Sequence, residues 1–227
     1  MTDLRQLPSN QSWDQTARVI LNAALKYLSD LLGAANTWTG TNNFTGAIQS
    51  NGVSIVPFGK HKIWIPSKEM TANPVLTPAA AVWNPGGNTI LDVWDFDQAA
   101  VERTHFNIGM PSSWNEGTVT FVPIWSAAAG TGDVVWVLDG WSFSNDDSLT
   151  QTVVTSVTST DTLIATGDLH RGPESAALTI DGTPSANDVV AFRVYRLATD
   201  AGDTLNADAR LIGIELYFTT DAAVDAA

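Results

Sequence analysis

The 227-residue sequence has no cysteine and no apolar run long enough to cross a bilayer. Without cysteine there are no disulfides, zinc–thiolate sites or thiol nucleophiles. A membrane-spanning helix needs roughly 18 consecutive apolar residues, so none is predicted. The first residues also lack the basic start, apolar stretch and small-residue cleavage site of a secretory signal, and we expect synthesis in the cytoplasm without a leader.

Positive charge is scarce and unevenly distributed. The chain has 11 Lys and Arg against 24 Asp and Glu, a net charge of −13, and no Lys or Arg between Arg103 and Arg171. Residues 1 to 50 contain three acids and three bases, so the whole excess belongs to the remainder. Such a surface repels phosphate backbones and anionic lipid, and we expect no nucleic-acid partner and no membrane insertion.

Sequence motifs for catalysis are missing as well. The three histidines, His61, His105 and His170, are far apart, and neither a GxSxG elbow nor an HExxH pair occurs. We therefore predict no Ser/His/Asp hydrolysis, no zinc chemistry, no cofactor and no enzymatic activity. All three histidines are interpreted as surface residues.

The clearest helical signal covers residues 12 to 33. Ser12 and Gln15 fit a capping box, and Gly33 fits the left-handed residue that ends a helix. Apolar residues recur at spacings of three and four and form one stripe: Trp13, Ala17, Ile20, Ala24, Tyr27 and Leu31. This stripe must be buried, either against the chain's own domain or by self-association around a symmetry axis, and we favour self-association.

A six-residue repeat follows the helix, NTWTGT at 36–41 and NNFTGA at 42–47. It aligns Trp38 with Phe44 and Thr-Gly with Thr-Gly. One apolar residue in six cannot build a core within one chain, so neighbouring copies must contribute the burial, and three chains around an axis would do so. The alternative is a Gly/Thr/Asn linker with two chance aromatics. We predict that residues 1–50 anchor and trimerise the protein, with Trp38, Phe44 and the helix stripe at the interface.

From about residue 53 the pattern changes to strands separated by turn residues. Apolar and polar residues alternate over 104–110 and 119–125, and further strands are predicted at 62–65, 90–96, 134–143, 150–164, 176–180, 189–197 and 211–218. So many strands without a second helix predict a jelly-roll-like β-sandwich over residues 51–227. The predicted fold class is mainly β, with an N-terminal α-helical stalk and a homotrimeric assembly.

The repeat and two later segments resemble a known group of proteins. NTWTGTNNFTGAIQSNG (36–52) resembles the aromatic-Thr-Gly repeats near the N-termini of tailed-bacteriophage fibre proteins, where they form slender trimeric shafts. PSSWNEGTVTF (111–121) and ADARLIGIELYFTTDAA (207–223) are similar to phage virion proteins with β-rich heads. The group supplies no catalytic residue that can be transferred to this chain.

This resemblance implies a structural virion protein, assembled in the bacterial host cytoplasm. Its partners would be two further copies of itself and other virion proteins, because such fibres and spikes attach by the N-terminus to capsid or tail. The head would face outward for host-surface attachment or capsid decoration.

The acidic side chains of the sequence support an alternative function, in which the head domain cleaves glycans. Asp92, Asp95 and Asp97 form the densest acidic group, and on a strand Asp95 and Asp97 would share one face about 6.6 Å apart. That spacing permits glycoside hydrolysis, although a solvated strand end explains it more simply. Acidic turns at 145–147 and 200–203 offer oxygen ligands for calcium without the spacing of a calcium loop, so no metal site is predicted.

Tryptophan is abundant, with nine Trp against three Tyr. Aromatic faces stack on sugar rings, but they also fill cores and subunit contacts. Trp83 and Trp114 stand beside turn signals, and we predict them in loops as candidate contacts for a host surface glycan. Trp136 and Trp141 fall on opposite faces of one predicted strand, so one of them must meet a partner or solvent.

Overall fold

A computed structural model describes residues 19–27, 49–50, 53–54 and 59–221, and the chain divides into two units, Met1–Ile55 and Val56–Ala227. In the first unit, residues 19–27 form helix α1. Strands β1 (Gln49–Ser50) and β2 (Val53–Ser54) pair antiparallel. No helix in these described ranges has the length and apolar character needed to span a membrane.

Helix α1 exposes part of its apolar surface, although Leu21 and Leu25 are half-buried. Ile20 and Tyr27 are 64% and 71% exposed, and Ala24 is also exposed. These three residues belong to the stripe that the helical spacing predicts. The other predicted interface residues lie outside the described residues, and the trimer stays a prediction: Trp13, Ala17, Leu31, Trp38 and Phe44.

In the second unit, eleven strands form a sandwich of two antiparallel sheets. Their bounds are β3 (Lys60–Pro66), β4 (Thr71–Ala72), β5 (Ala79–Trp83), β6 (Leu91–Phe96), β7 (Arg103–Gly109), β8 (Thr120–Ser126), β9 (Asp133–Phe143), β10 (Ser156–Thr162), β11 (His170–Arg171), β12 (Val189–Arg196) and β13 (Ala209–Thr219). One sheet has the order β10-β9-β12-β7-β4. In the other, β11-β8-β13-β6-β5, strand β13 pairs with β8 along one edge and with β3 and β6 along the other.

The main core lies between the two sheets. Trp125 of β8 and Trp136 of β9 are fully buried there, and Phe96 meets Trp136 edge to face with ring centroids 5.2 Å apart. Because successive side chains on a strand alternate, the neighbours of Trp125 face the other way. Among them, Ile124 joins a second apolar cluster on the outer face of the six-stranded sheet, which also contains Val93, Val122 and Ile212.

Alternating hydrophobicity predicted most of these strands, and the mainly β sandwich is confirmed. Two predicted strands are wrong in extent: β10 begins at Ser156 instead of residue 150, and the segment 176–180 forms only an isolated bridge between Leu178 and Val119. Strand β5 was not predicted, because its three alanines lack alternation and Pro78 and Pro85 flank it.

One ion pair of the sandwich is completely buried. The side chains of Arg196 and Asp203 are 0% and 1% exposed, with Nη2 2.6 Å from Oδ1. The guanidinium also donates to the carbonyl oxygens of Leu205 (2.6 Å) and Ala207 (2.7 Å), and Asp203 accepts from the backbone N–H of Val135 (3.0 Å). The pair therefore ties the connection between β12 and β13 to β9.

Candidate functional site

Aromatic and charged side chains meet on the outer face of the six-stranded sheet. The register places Trp64 opposite Glu215 and Lys62 opposite Tyr217, and Arg171 extends from β11 on the same face. We call these five residues the outer-sheet platform. They come from β3, β11 and β13, so only sheet pairing brings them together.

Glu215 is the centre of the platform's hydrogen bonds. Its side chain is 13% exposed and accepts from Lys62 Nζ (2.7 Å), from Arg171 Nε (3.1 Å) and Nη2 (2.6 Å), and from the hydroxyl of Tyr217 (2.8 Å). Partial burial acts to raise its pKa, but the hydrogen bonds from Lys62, Tyr217 and Arg171 outweigh it and lower the pKa to about 2. Glu215 is therefore a permanently ionised acceptor at neutral pH.

Tyr217 is fixed from both sides. Arg171 Nη2 donates to its hydroxyl (2.9 Å), and Lys60 Nζ lies 4.6 Å from its ring centroid. Lys60 also pairs with Glu174, which accepts a hydrogen bond from the Thr120 hydroxyl. These contacts hold the aromatic ring and its charged neighbours in one arrangement.

Trp64 is the exposed aromatic of the platform, with 44% of its surface accessible. Its indole lies over Gly213 of β13, which has no side chain to obstruct it. A Cβ atom at Gly213 would stand 2.7 Å from Trp64 Cζ2 and 2.5 Å from the carbonyl oxygen of Ile65. The glycine thus makes room for a flat indole surface beside the charged groups.

The low pKa of Glu215 predicts how its contribution to stability varies with pH. An unfolded glutamate titrates near 4.5, so this contribution is fully present above that pH and is lost as pH falls through about 2. We expect the melting temperature of the wild type to exceed that of Glu215→Gln by a constant amount from pH 8 to about 5. This difference in melting temperature should vanish near pH 2. Thermal melts of both proteins across this range measure it, and an undiminished difference near pH 2 would contradict the ion network.

The two predicted ligand-contact tryptophans occupy different environments. Trp114 lies between β7 and β8, outside the strands as predicted, but it is 1% exposed and packs in the core, so its prediction as a glycan contact is wrong. Trp83 is the last residue of β5, so its predicted place in a loop is wrong; it is half-buried and its ring centroid lies 5.4 Å from the guanidinium of Arg210. The opposite orientation of Trp136 and Trp141 is confirmed, since Trp136 is in the core and Trp141 is half-buried.

Four carboxylates line a cavity of about 530 Å³ near the start of β5: Asp95, Asp97, Glu102 and Asp208. Burial raises the pKa of both Asp95 and Glu102. Each carboxylate accepts a hydrogen bond. Asp95 accepts from Arg210 Nε (3.1 Å), and Asp97 accepts from the backbone N–H of Ala99 (2.6 Å). Glu102 accepts from the N–H of Asp97 (2.8 Å), and Asp208 accepts from the N–H of Gln98 (3.1 Å). Asp97 lies beyond the end of β6, so the predicted shared strand face with Asp95 is wrong.

The acidic turns have structural partners. Asp147 accepts from the N–H of Ser144 (2.9 Å), Asp200 accepts from the N–H of Gly202 (2.7 Å), and Asp203 is the buried partner of Arg196. Within the part of the chain that the structure describes, no group of three or more His, Asp or Glu side chains is placed to hold a metal ion.

The histidines differ in exposure. His61 is exposed and stacks on Phe218 with centroids 6.0 Å apart. His105 is half-buried, which lowers its pKa, and its Nε2 lies 3.2 Å from Asn73 Nδ2. His170 is only 6% exposed and packs 4.7 Å from the Trp125 ring, so its interpretation as a surface residue is wrong.

No protein-family model and no curated protein matches the chain. Among solved structures, a family 6 carbohydrate-binding module of a laminarinase from Zobellia galactanivorans has 11% identity and a TM-score of 0.38, covering 69% of this chain and 98% of that one. A xylan-binding domain from Paenibacillus barcinonensis has 12% identity and a TM-score of 0.39, with the same coverage. We infer neither a family nor a ligand from similarity at this level.

Proposed function

We propose that this protein is a non-enzymatic attachment protein whose β-sandwich head binds glycan through the outer-sheet platform. The observation that supports it is the exposed indole of Trp64 beside the ionic network of Glu215. A sugar ring has an apolar C–H face that stacks on an aromatic surface and hydroxyl groups that need donors and acceptors. The platform offers both within one patch.

The geometry of the platform suits binding without large reorganisation. Lys62 and Arg171 are about half exposed, so their charged heads are accessible while Glu215 holds them in place. Side chains already fixed by hydrogen bonds lose little conformational entropy when a ligand binds.

The charge state of Glu215 supports a non-catalytic role for the platform. Glycoside hydrolysis requires a general acid, usually a carboxyl group with a raised pKa. Glu215 has a pKa of about 2 and cannot donate a proton at neutral pH. Glu215 is therefore not the general acid of a hydrolase, which supports the proposal that the platform recognises a glycan without cleaving it.

The experiment is a screen of the full-length protein against immobilised bacterial surface glycans, followed by titration of the best ligand. Removal of a large aromatic contact typically costs about 2 kcal/mol, so Trp64→Ala should weaken binding about thirtyfold. Trp64→Phe retains an aromatic face and should recover most of the affinity. Equal affinity for wild type and Trp64→Ala would reject the platform as the site.

For the N-terminal part, the proposal is a homotrimeric stalk, with a jelly-roll-like head facing outward from a phage capsid or tail. The exposed apolar residues of α1 support it, because an uncovered stripe favours association with other copies. Native mass spectrometry should give three times the chain mass of 24.2 kDa. Ile20→Asp should shift the protein toward monomer, while Lys26→Gln, which lowers the net charge by the same one unit at an exposed position of the polar face, should not. A wild-type monomer at micromolar concentration would contradict the stalk.

The alternative, a glycan-cleaving head, is favoured by the acidic cavity and the raised pKa of Asp95 and Glu102. We expect no cleavage, because each of the four carboxylates already has a structural partner. Size-exclusion analysis of bacterial capsular polysaccharide after incubation measures this directly. Shortening by the wild type that disappears in Asp95→Asn would establish the hydrolase instead.

A further inference from the structure

Strand β5 is an apolar strand with one unpaired edge. Residues Ala79–Trp83 pair with β6 on one side, and no backbone hydrogen bond reaches the other side from any described residue. Ala80 is exposed and Val82 is 67% exposed. Unpaired N–H and C=O groups on such an edge are a template for another strand, and β5 has no lysine that would discourage pairing.

A groove lies over one face of the paired strands β5 and β6, where the side chains of Ala80 and Val82 stand beside those of Trp94 and Asp92. It consists of two cavities, of about 260 and 530 Å³, that adjoin at Ala80 and Trp94. Trp94 Nε1 donates to the backbone carbonyl of Ser67 (2.8 Å), which holds the indole as the floor of the groove. Five residues of an extended chain span about 16 Å, so a short segment matches the length of β5.

The groove is strongly acidic at the end where β5 begins. Asp95, Asp97, Glu102 and Asp208 line it there, and the described residues place one base, Arg210, in contact with them. The other end has the exposed pair of Lys68 and Asp92, 3.5 Å apart, and adds no net charge. The carboxylates therefore leave a negative charge that a Lys or Arg side chain would neutralise.

We propose that the edge of β5 binds an extended basic segment of another polypeptide, which adds a strand to the six-stranded sheet and places a Lys or Arg at the acidic cavity. Main-chain hydrogen bonds would supply the pairing and the groove would select the side chains. A second copy of this chain fits less well, because its net charge is −13 and it has no Lys or Arg between Arg103 and Arg171.

The test uses the full-length protein and three labelled peptides: acetyl-KTVTVTK-amide, its acidic counterpart acetyl-ETVTVTE-amide, and the basic peptide with alternate amides N-methylated. N-methylation keeps the charge but removes the donors that strand addition needs. Fluorescence anisotropy should show binding of the basic peptide alone, and hydrogen–deuterium exchange should slow at residues 79–83. Asp97→Asn with Asp208→Asn should weaken binding about three- to tenfold, as two partly exposed ion pairs would.

Several outcomes would overturn the proposal. Equal binding of the N-methylated peptide would exclude strand addition, and equal binding of the acidic peptide would exclude charge recognition. Absence of binding at millimolar basic peptide would refute the docking strand outright. If Val82→Glu abolished self-association of the protein while the basic peptide failed to bind, the groove would be an interface between copies of this chain.

Discussion

Replacing Arg196 by alanine is expected to lower the free energy of unfolding by about 3–5 kcal/mol. The substitution leaves the carboxylate of Asp203, 1% exposed, without its partner in the interior, and two backbone carbonyls lose their donor. An unpaired buried charge is among the most destabilising changes that a single substitution can make. Chemical denaturation followed by tryptophan fluorescence measures the change.

Two further variants isolate the cause. Lys68→Ala breaks an exposed ion pair, 72% and 46% accessible, and should change stability by less than about 1 kcal/mol. Arg196→Met combined with Asp203→Leu removes both charges and should recover much of the loss. If Arg196→Ala were as mild as Lys68→Ala, the pair would not hold the β12–β13 connection in place.

Gly213→Ala is expected to reduce stability and glycan binding together. The new methyl group would meet the indole of Trp64 and the carbonyl oxygen of Ile65, and the backbone atom cannot rotate away. Overpacking of this kind costs about 1–3 kcal/mol, and a displaced Trp64 should weaken binding about as much as Trp64→Ala. Denaturation and ligand titration of one preparation report both effects.

Gly109→Ala is the matched control, because a Cβ atom there would meet nothing within 4 Å. It should leave both stability and binding near wild-type values. Unchanged binding in Gly213→Ala would show that the position of Trp64 over the glycine is not needed for recognition.

Local patterns were sufficient to predict most of the sandwich. Strands such as β7 and β12 alternate between core and surface residues, and this alternation is readable from the sequence. Strand β5 has no such signal, because alanine is compatible with either face and its neighbouring prolines suggest turns. The burial of Trp114 was missed for a related reason: turn residues surround it, but its large apolar surface is buried in the core.

The candidate site could not be predicted from the sequence, because its residues are far apart along the chain. Lys62, Arg171 and Glu215 meet only through the pairing of β3, β8, β11 and β13. A weak signal was present: Gly213 interrupts an apolar run within a strand, which often marks a close approach of another group. The proposed stalk would likewise depend on contacts between chains, which one sequence does not specify.

The central claim, glycan recognition by the outer-sheet platform, is tested most directly by indole ¹⁵N spectroscopy of the tryptophans. The Trp64 signal is assigned by its loss in Trp64→Phe, and the others by the same strategy. On titration with the best-binding glycan, the Trp64 signal should shift in proportion to occupancy. The core signals of Trp125 and Trp136 and the groove signal of Trp94 should stay in place. A shift of Trp94 with an unchanged Trp64 would contradict the account and place the ligand in the acidic groove.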